Sequence, residues 1–244
     1  MSLSGTTALV TGASRGFGFA AARALASEGA QVIALARTVG GLEELDDRIR
    51  EAGGLSPVLV PLDITDDPGL ERMGAALHGR FGKLDLWLHT AAHAPPLAPA
   101  EHIAAKDLDK VIAVDIRAFQ RLIRVLDPLL RLAGGSARAL IAAEDRAGAP
   151  FFGAYAAAKA AQSAITRAWA AEAAREIAVA EIVPPPMPTA LRARFYPGQD
   201  AAALTPIEEA AALLLPVLAG PIAPGERRLL QPARHAAAPL PPGS

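Results

Sequence analysis

Short apolar runs alternate with longer stretches of helical pattern along this chain. The apolar runs have the length of buried parallel strands and cover residues 7–10, 31–36, 58–61, 84–89, 137–142 and 178–183. The stretches between them that are predicted to be helical cover residues 18–28, 41–52, 68–80, 106–132 and 153–176. This alternation predicts an α/β fold in three layers, with a doubly wound parallel sheet between two layers of helices.

Polar and proline residues mark the ends of several elements. Asp67 is the predicted N-cap of the third helix, with Pro68 at its first position. The sequence from Thr205 to Glu208 is typical of a capping box, and it predicts a late helix that ends near residue 218. The proline-rich segment 184–200 cannot be the interior of a helix or strand. Because it follows the sixth strand, we expect it to overhang the ligand crevice at the carboxyl edge of the sheet.

Length and composition indicate a single domain and exclude several kinds of site. A chain of 244 residues suits one α/β domain, which we assign to residues 1–231, followed by a Pro- and Ala-rich tail at 232–244 that we expect to be poorly ordered. Without cysteine, the chain has no disulfide, thiolate metal site or cysteine nucleophile, and no His or carboxylate spacing indicates a metal. The net charge of −1 argues against nucleic acid or an anionic membrane as a partner. The N-terminus lacks a signal-peptide pattern, and no apolar run reaches the roughly 18 residues of a membrane span, so we expect a cytoplasmic protein.

A glycine-rich segment lies between the first strand and the first helix. Gly12 permits a tight turn, Gly16 lets the backbone approach a pyrophosphate, and Gly18 allows close packing of helix and strand. The start of the helix then offers free N–H groups and a positive dipole end to phosphates. The sequence therefore predicts a Rossmann-type nucleotide site whose loop contacts come from Gly12, Ser14, Arg15, Gly16, Phe17 and Gly18.

The end of the second strand favours NADP over NAD. NAD-binding sites of this kind place an acidic residue there to accept hydrogen bonds from the ribose 2′-OH. Here the strand ends in Ala36, and Arg37 and Thr38 follow. Arg37 and Arg15 are therefore predicted to flank a 2′-phosphate, and Thr38 to donate a hydrogen bond to it. The alternative is that Arg37 is a solvated loop residue. Asp63, after the third strand, either accepts from the adenine amino group or stabilises a turn.

Tyr155 and Lys159 are the candidate acid–base pair. Their i, i+4 spacing puts both side chains on one helix face. A nearby ammonium favours tyrosinate, so we expect Lys159 to lower the pKa of Tyr155 from its usual value of about 10.

Together these residues resemble the short-chain dehydrogenase/reductase family over about residues 5–231. The motifs that carry the resemblance are Thr11–Gly18, Leu62-Asp63, Tyr155 with Lys159, and Pro184–Thr189. The resemblance implies that Tyr155 exchanges a proton with the substrate oxygen, that Lys159 holds the nicotinamide ribose, and that Thr189 contacts the carboxamide. It also implies cofactor contacts from Ile64 and Ala91, a small-molecule alcohol or carbonyl substrate, and a homodimer or homotetramer built through helices 106–132 and 153–176.

Several positions depart from the family pattern. The usual Asn-Asn-Ala-Gly after the fourth strand is His89-Thr90-Ala91-Ala92 here, and Pro185 replaces a glycine. Asp115 stands where the family has a catalytic Asn, and Ala142 and Ala143 occupy the positions of the catalytic Ser, unless a gap places Asp145 there. Loss of one donor to a developing oxyanion typically lowers kcat by about 10² to 10³. We therefore expect a competent NADP site joined to an impaired or altered catalytic site.

Three residues are candidates to replace the missing donor or to act beside Tyr155. His93 follows the fourth strand and either donates to a carbonyl oxygen or is a solvated loop residue. Glu144 and Asp145 either form a new acid–base pair near Tyr155 or are ordinary loop charges, whereas His89 is expected to fill a packing position. Three functions follow: an NADP-dependent oxidoreductase, an inactive NADP-binding subunit, or a non-redox enzyme that reuses Tyr155.

Overall fold

The computed structural model describes residues 2–231, which form a seven-stranded, fully parallel sheet with helices on both faces. The strand order is β3-β2-β1-β4-β5-β6-β7. The strands are β1 (Thr7–Thr11), β2 (Gln31–Ala36), β3 (Val58–Pro61), β4 (Leu86–His89), β5 (Ala137–Ala142), β6 (Ile177–Val183) and β7 (Arg227–Leu229). The order reverses direction beside β1, where the connections pass to the opposite face of the sheet. The predicted three-layer, doubly wound Rossmann-type fold is confirmed, and the predicted tail at 232–244 lies outside the described residues.

Nine α-helices flank the sheet within the described part of the chain. They are α1 (Gly16–Ser27), α2 (Val39–Glu51), α3 (Asp67–Phe81), α4 (Ala105–Val111), α5 (Ala118–Arg131), α6 (Gly153–Ala173), α7 (Ala190–Phe195), α8 (Ile207–Ala212) and α9 (Leu214–Ala219). Consecutive residues of a strand point to opposite faces, so β1 contributes to two separate cores. Ala8 and Val10 pack with α1, α2, α8 and α9, whereas Leu9 packs with residues of α3, α5 and α6. Because both faces are covered, strands β1 to β6 are mostly apolar and show no regular alternation of apolar and polar residues.

The predicted elements and the structure differ in five main places. Part of the segment 184–200, which is predicted to contain no helix or strand, is the short helix α7, because no proline lies between residues 189 and 196. β4 begins at Leu86 rather than at residue 84, and β7 was not predicted because two of its three residues are arginines. The predicted helix 106–132 is α4 and α5 joined by a π-helical turn, Ile112–Arg117. The predicted helix to residue 218 is divided into α8 and α9 at Leu213. Pro216 accounts for this break because its nitrogen cannot donate to the carbonyl of Ala212.

Both predicted helix caps are corrected by one residue. Asp66, not Asp67, caps α3, and its Oδ1 accepts a hydrogen bond of 3.0 Å from the N–H of Gly69. At α8 the N-cap is Pro206, so Thr205 lies one residue too early to form a capping box. The N–H of Thr205 instead donates to the carbonyl of Pro186 at 3.0 Å, which ties this segment to the proline-rich loop after β6.

One segment of the described chain has the length and apolar composition of a membrane span. It is Ala201–Ala219, with a mean hydropathy of 1.5 over its most apolar window. The segment is a short 3₁₀ turn followed by α8 and α9 rather than one continuous helix. Ala210, Ala211 and Leu214 pack in the same core as α1. The absence of a membrane partner stays a prediction.

Candidate active site at the carboxyl edge of the sheet

The glycine loop makes close contacts with the segment that follows β4. Gly12 has a φ of +87°, and a Cβ at this position would lie 2.7 Å from Thr90 Oγ1 and 2.8 Å from the nitrogen of Ala91. A Cβ on Gly18 would lie 2.5 Å from the carbonyl oxygen of Gly12. These distances leave no room for a side chain at either position, as the predicted tight turn and close helix packing require. A Cβ on Gly16 would lie 3.3 Å from Thr189 Cγ2, so the loop also faces the segment after β6.

The N-terminus of α1 is suited to bind an anion. Its N-cap is Arg15, whose side chain makes no capping hydrogen bond, and the first turn contains no acidic residue. The N–H groups of Gly16, Phe17 and Gly18 therefore have no partner within the helix and carry the positive end of the helix dipole. Ser14 lies in the loop directly before this helix. A pyrophosphate fits this cradle because glycine removes the side chains and the helix supplies donors.

The end of β2 carries an arginine and no carboxylate. Arg37 is exposed, and its Nη1 lies 3.8 Å from Oδ2 of Asp63 at the end of the neighbouring strand β3. Thr38 is the N-cap of α2 and makes no side-chain cap hydrogen bond. Oδ1 of Asp63 accepts from the N–H of Thr65 at 2.9 Å and from its hydroxyl at 2.8 Å, so Asp63 does stabilise a turn. Partial burial raises the pKa of Asp63, but the Thr65 hydrogen bonds and Arg37 outweigh it and hold this pKa below its ordinary value.

Three further predicted cofactor contacts lie around the same crevice. Ala91 follows β4, with its backbone beside Gly12, and Thr189 faces Gly16 from the opposite side. Thr189 is also the N-cap of α7, and its Oγ1 accepts from the N–H of Arg192 at 3.2 Å. Ile64 is buried in the core on the α3 side of the sheet, so a ligand at the surface would meet its backbone rather than its side chain.

Tyr155 lies in the first turn of α6, with only 2% of its surface exposed. Its hydroxyl donates a hydrogen bond of 3.0 Å to Oε2 of Glu144, and the ring of Phe195 packs edge-on against its ring at 4.9 Å. The expected lowering of the Tyr155 pKa is wrong. Burial raises this pKa strongly, Glu144 and Asp115 raise it further by their negative charges, and Arg146 offsets only part of the effect.

Lys159 is buried one turn after Tyr155 and points toward the polar interior. Its Nζ donates to Oε1 of Gln162 at 2.9 Å and to the carbonyl oxygen of Ala142 at 3.3 Å. Burial lowers the pKa of Lys159, and the charges of Asp115, Glu144 and Glu181 oppose that change. Lys159 thus lies among carboxylates, which offset its effect on the phenol.

Asp115 lies within the π-helical turn and is fully buried. Both of its carboxylate oxygens accept from the backbone N–H of His93, at 3.1 and 3.2 Å. Burial raises the pKa of Asp115 to about 6, against the opposing effects of Lys159 and of the His93 hydrogen bond. The side-chain amide of Gln162 donates to the carbonyl of Asp115 at 3.4 Å, so Gln162 links this turn to Lys159.

The two histidines near the crevice have different roles. His89 is fully buried at the end of β4, where it packs against Trp87 and Phe119, as predicted. Its Nδ1 is 2.7 Å from Thr11 Oγ1, and burial followed by Lys159 lowers its pKa to about 3. His93 uses its backbone N–H to hold Asp115. Among the described residues its imidazole makes no hydrogen bond.

The loop between β5 and α6 brings one acidic residue to Tyr155. Glu144 reaches the phenol, whereas Asp145 is exposed and accepts from the N–H of Ala147 at 3.0 Å. Sequence reasoning named both acidic residues but missed Arg146. The Nε of Arg146 donates to Oε1 of Glu144 at 2.7 Å, and its guanidinium lies over the rings of Phe152 and Tyr196 at 5.6 and 5.7 Å. Arg146 directly follows the two acidic residues, and this run of three charges after a buried strand is the signal by which it could have been found.

Comparison with known proteins identifies the family of this fold and site. A family model described as enoyl-(acyl carrier protein) reductase matches residues 12–214. The chain belongs to the short-chain dehydrogenase/reductase family. It is 31% identical over 207 residues to 3beta-hydroxysteroid dehydrogenase 1 of Eggerthella lenta, and the alignment covers 83% of this chain and 78% of that protein.

Other relatives of this short-chain dehydrogenase/reductase are matched over a smaller part of their length. It is 30% identical over 172 residues to L-fucose dehydrogenase of Mus musculus, with 70% of this chain and 61% of that protein covered. The chain spans between 45% and 62% of the length of four such curated relatives.

Solved structures match the fold over almost the whole chain. A short chain dehydrogenase from Pseudomonas syringae superposes with a TM-score of 0.88 at 31% identity, covering 94% of this chain and 96% of that one. A short chain dehydrogenase from Shigella flexneri, solved in complex with NADP, superposes with a TM-score of 0.89 at 27% identity, with 94% and 98% covered.

Proposed function

We propose that this chain is an NADP(H)-dependent oxidoreductase that transfers hydride between nicotinamide and an alcohol or carbonyl carbon. The observation that carries the proposal is the end of β2, where Arg37 stands exposed in place of an acidic residue. The glycine loop before α1 is bonded to the same end of β2, through the N–H groups of Gly12 and Ala13 and the carbonyl of Leu35. A 2′-phosphate needs cationic donors, whereas the 2′-OH of NAD needs a carboxylate acceptor. The family and the relative solved with NADP support the same cofactor.

The predicted contacts divide along the crevice. The pyrophosphate would lie on the backbone of Gly12, Ser14, Gly16, Phe17 and Gly18. Other parts of the dinucleotide would be held by side chains or backbone around it: Arg15, Arg37 and Thr38 at the 2′-phosphate, Asp63 and Ile64 at the adenine, and Ala91, Tyr155, Lys159 and Thr189 toward the nicotinamide. When bound, the dinucleotide supplies or accepts the hydride.

Residues of the chain itself transfer the proton to or from the substrate oxygen. Tyr155 exchanges a proton with the substrate oxygen, Lys159 holds a ribose hydroxyl and adds positive charge, and Asp115 fixes the loop after β4 through His93. No hydroxyl side chain stands at positions 142–145, where the family has its catalytic Ser. The missing donor is expected to lower turnover by about 10² to 10³.

A second candidate function is that of a weakly active or inactive NADP-binding subunit. The specific observation in its favour is that Tyr155 is only 2% exposed, because Phe195 covers its ring. The hydroxyl proton of Tyr155 is also already donated in the hydrogen bond to Glu144. We further propose, from the family resemblance, a homodimer or homotetramer that associates through α4, α5 and α6, and we retain the cytoplasmic location expected from the sequence.

Turnover in both directions tests the proposed function. The protein is incubated with NADP⁺ and a panel of secondary alcohols, or with NADPH and a carbonyl panel, and absorbance of the reduced nicotinamide is followed. Slow substrate-dependent change that is lost in Tyr155→Phe supports the oxidoreductase. Binding of NADPH without any turnover supports the subunit, and absence of NADPH binding contradicts both.

A further inference from the structure

Glu144 is held in a fixed position against Tyr155. One carboxylate oxygen, Oε2, accepts from the phenol at 3.0 Å, and the other, Oε1, accepts from Nε of Arg146 at 2.7 Å. Arg146 is in turn held over the rings of Phe152 and Tyr196. A loop carboxylate with both oxygens engaged has a defined orientation toward the phenol, unlike its exposed neighbour Asp145.

We propose that Glu144 accepts the proton of Tyr155 when an alcohol is oxidised, and that the protonated carboxyl returns it through Tyr155 when a carbonyl is reduced. This inference rests on the proposed function, because it assigns the proton acceptor of the same hydride transfer. It also assigns a role to a residue of a type that the family pattern does not place there.

While Glu144 is ionised, the single proton of the phenol decides which form of the substrate pairs with it. That proton is donated to Glu144, so the lone pairs of Tyr155 Oη face the remaining space and accept hydrogen bonds. A substrate alcohol has an O–H to donate to those lone pairs. A substrate carbonyl oxygen is only an acceptor and would meet the phenol lone pairs and a carboxylate, which is an unfavourable pairing.

The proposed oxidation balances as follows. The substrate C–H bond breaks and its electron pair leaves as hydride to the oxidised nicotinamide dinucleotide, while the electrons of the substrate O–H bond form the C=O bond. The alcohol proton passes to Tyr155 Oη as the proton of Tyr155 passes to Oε2 of Glu144. Glu144 then releases that proton to solvent, since its side chain is 28% exposed.

The charges around the phenol favour this relay. Glu144 and Arg146 face Tyr155 from the loop before α6, Asp115 faces it from the π-helical turn, and α7 contributes the apolar ring of Phe195. Without the relay, transfer of the Tyr155 proton to a carbonyl would leave tyrosinate beside two carboxylates. With the relay, Tyr155 carries no net charge in either direction.

The titration of Tyr155 in the protein without cofactor tests the link to Glu144. The chain has only two tyrosines, Tyr155 and Tyr196, so Tyr196→Phe leaves Tyr155 as the sole phenol while it keeps an aromatic ring beneath Arg146. Tyrosinate absorbance is then followed against pH, with circular dichroism to monitor folding. In this background Glu144→Gln is expected to lower the titration midpoint by at least about one pH unit, because it removes a facing negative charge. The matched control Asp145→Asn is expected to leave the midpoint unchanged.

If Glu144→Gln has the same titration midpoint as the parent, the inference is overturned. The same holds if Tyr155 titrates only on unfolding in both proteins.

The second experiment measures rates in both directions, with NADP⁺ and with NADPH. Glu144→Gln is expected to lower kcat/KM by at least about tenfold in both directions, since the equilibrium constant fixes the ratio of the two, and to change the pH profile of alcohol oxidation. A loss of rate that keeps the pH profile of the parent indicates a structural role and also overturns the inference. NADPH affinity of Glu144→Gln is expected to equal that of the parent, so failed binding by the parent contradicts the proposed function and not the link between Glu144 and Tyr155.

Discussion

The guanidinium of Arg37 and the carboxylate of Asp63 lie 3.8 Å apart, at the carboxyl ends of the neighbouring strands β2 and β3. Their side chains are 55% and 39% exposed, so the ion pair itself adds little to stability. Asp63 is fixed by Thr65 and holds the arginine at the edge of the crevice. A weak, exposed pair of this kind leaves Arg37 available to a phosphate.

Removal of this guanidinium should weaken NADPH binding selectively. Arg37→Ala is expected to lower affinity for NADPH by about 10- to 100-fold, because a charge-assisted hydrogen bond contributes about 1.5–3 kcal/mol. NADH affinity should change little, since NADH lacks the 2′-phosphate. Fluorescence titration with both dinucleotides measures the two affinities. Arg50→Ala removes an exposed arginine of α2 that pairs with Asp46 and serves as the control. An equal loss for NADH and NADPH would argue against a 2′-phosphate contact.

A methyl group on Gly12 should abolish nucleotide binding. Gly12→Ala combines a φ of +87° with contacts of 2.7 and 2.8 Å to Thr90 and Ala91, so the loop must shift. Gly53→Ala is a matched control, because Gly53 has a φ of +78° but nothing within 4 Å of an added Cβ. The control should lose about 1–2 kcal/mol of stability from backbone strain and keep its affinity for NADPH. Full binding by Gly12→Ala would contradict the assignment of the cradle.

Asp115 should make the protein less stable as the pH rises. Its pKa in the folded state is about 6, above the ordinary 3.8, so the folded state binds the proton more tightly than the unfolded state does. Its stabilising contribution is therefore complete below about pH 4 and lost as the pH rises through 6, by about 3 kcal/mol in total.

Asp115→Asn tests this pH dependence because the amide oxygen can still accept from His93. The free energy of unfolding of both proteins is measured by chemical denaturation from pH 4 to pH 7. The variant should gain stability relative to the parent across that range. A difference between the two proteins that is flat, or that falls with pH, would show that Asp115 does not titrate there.

Restoring two residues of the family pattern should raise turnover. Ala143→Ser supplies a hydroxyl in the loop that bears Glu144, and Asp115→Asn removes a negative charge that disfavours tyrosinate. Together they should increase NADPH-dependent carbonyl reduction by about tenfold or more. Ala147→Ser places a hydroxyl at an exposed position of the same loop and should change nothing. An unchanged rate in the double variant would refute the impaired-site account.

The sequence predicts the sheet well because its strands are buried on both faces. Continuous apolar runs such as 31–36 and 137–142 coincide with β2 and β5. β7 lies at the sheet edge with Arg227 and Arg228 in its three residues, so hydrophobicity did not reveal it. The π-helical turn around Asp115 is also invisible to a 3.6-residue periodicity.

The candidate site is predictable in its members but not in its electrostatics. The i, i+4 spacing correctly predicts that Tyr155 and Lys159 share one helix face. The direction of the Tyr155 pKa shift depends instead on burial and on Glu144, and neither can be inferred from the spacing. Glu144 and Asp145 are adjacent in sequence, and the course of the loop backbone decides which one reaches the phenol. Arg146 was missed because its role is to hold Glu144.

The central claim is that this crevice binds NADPH in preference to NADH, whatever the efficiency of the chemistry beside it. Calorimetric titration of the unmodified protein with each dinucleotide tests that claim most directly. The account predicts saturable binding of NADPH at one site per chain, at least about tenfold tighter than NADH, as expected from a charge-assisted contact to the 2′-phosphate. Absence of NADPH binding, or NADH affinity equal to or greater than that of NADPH, would contradict it.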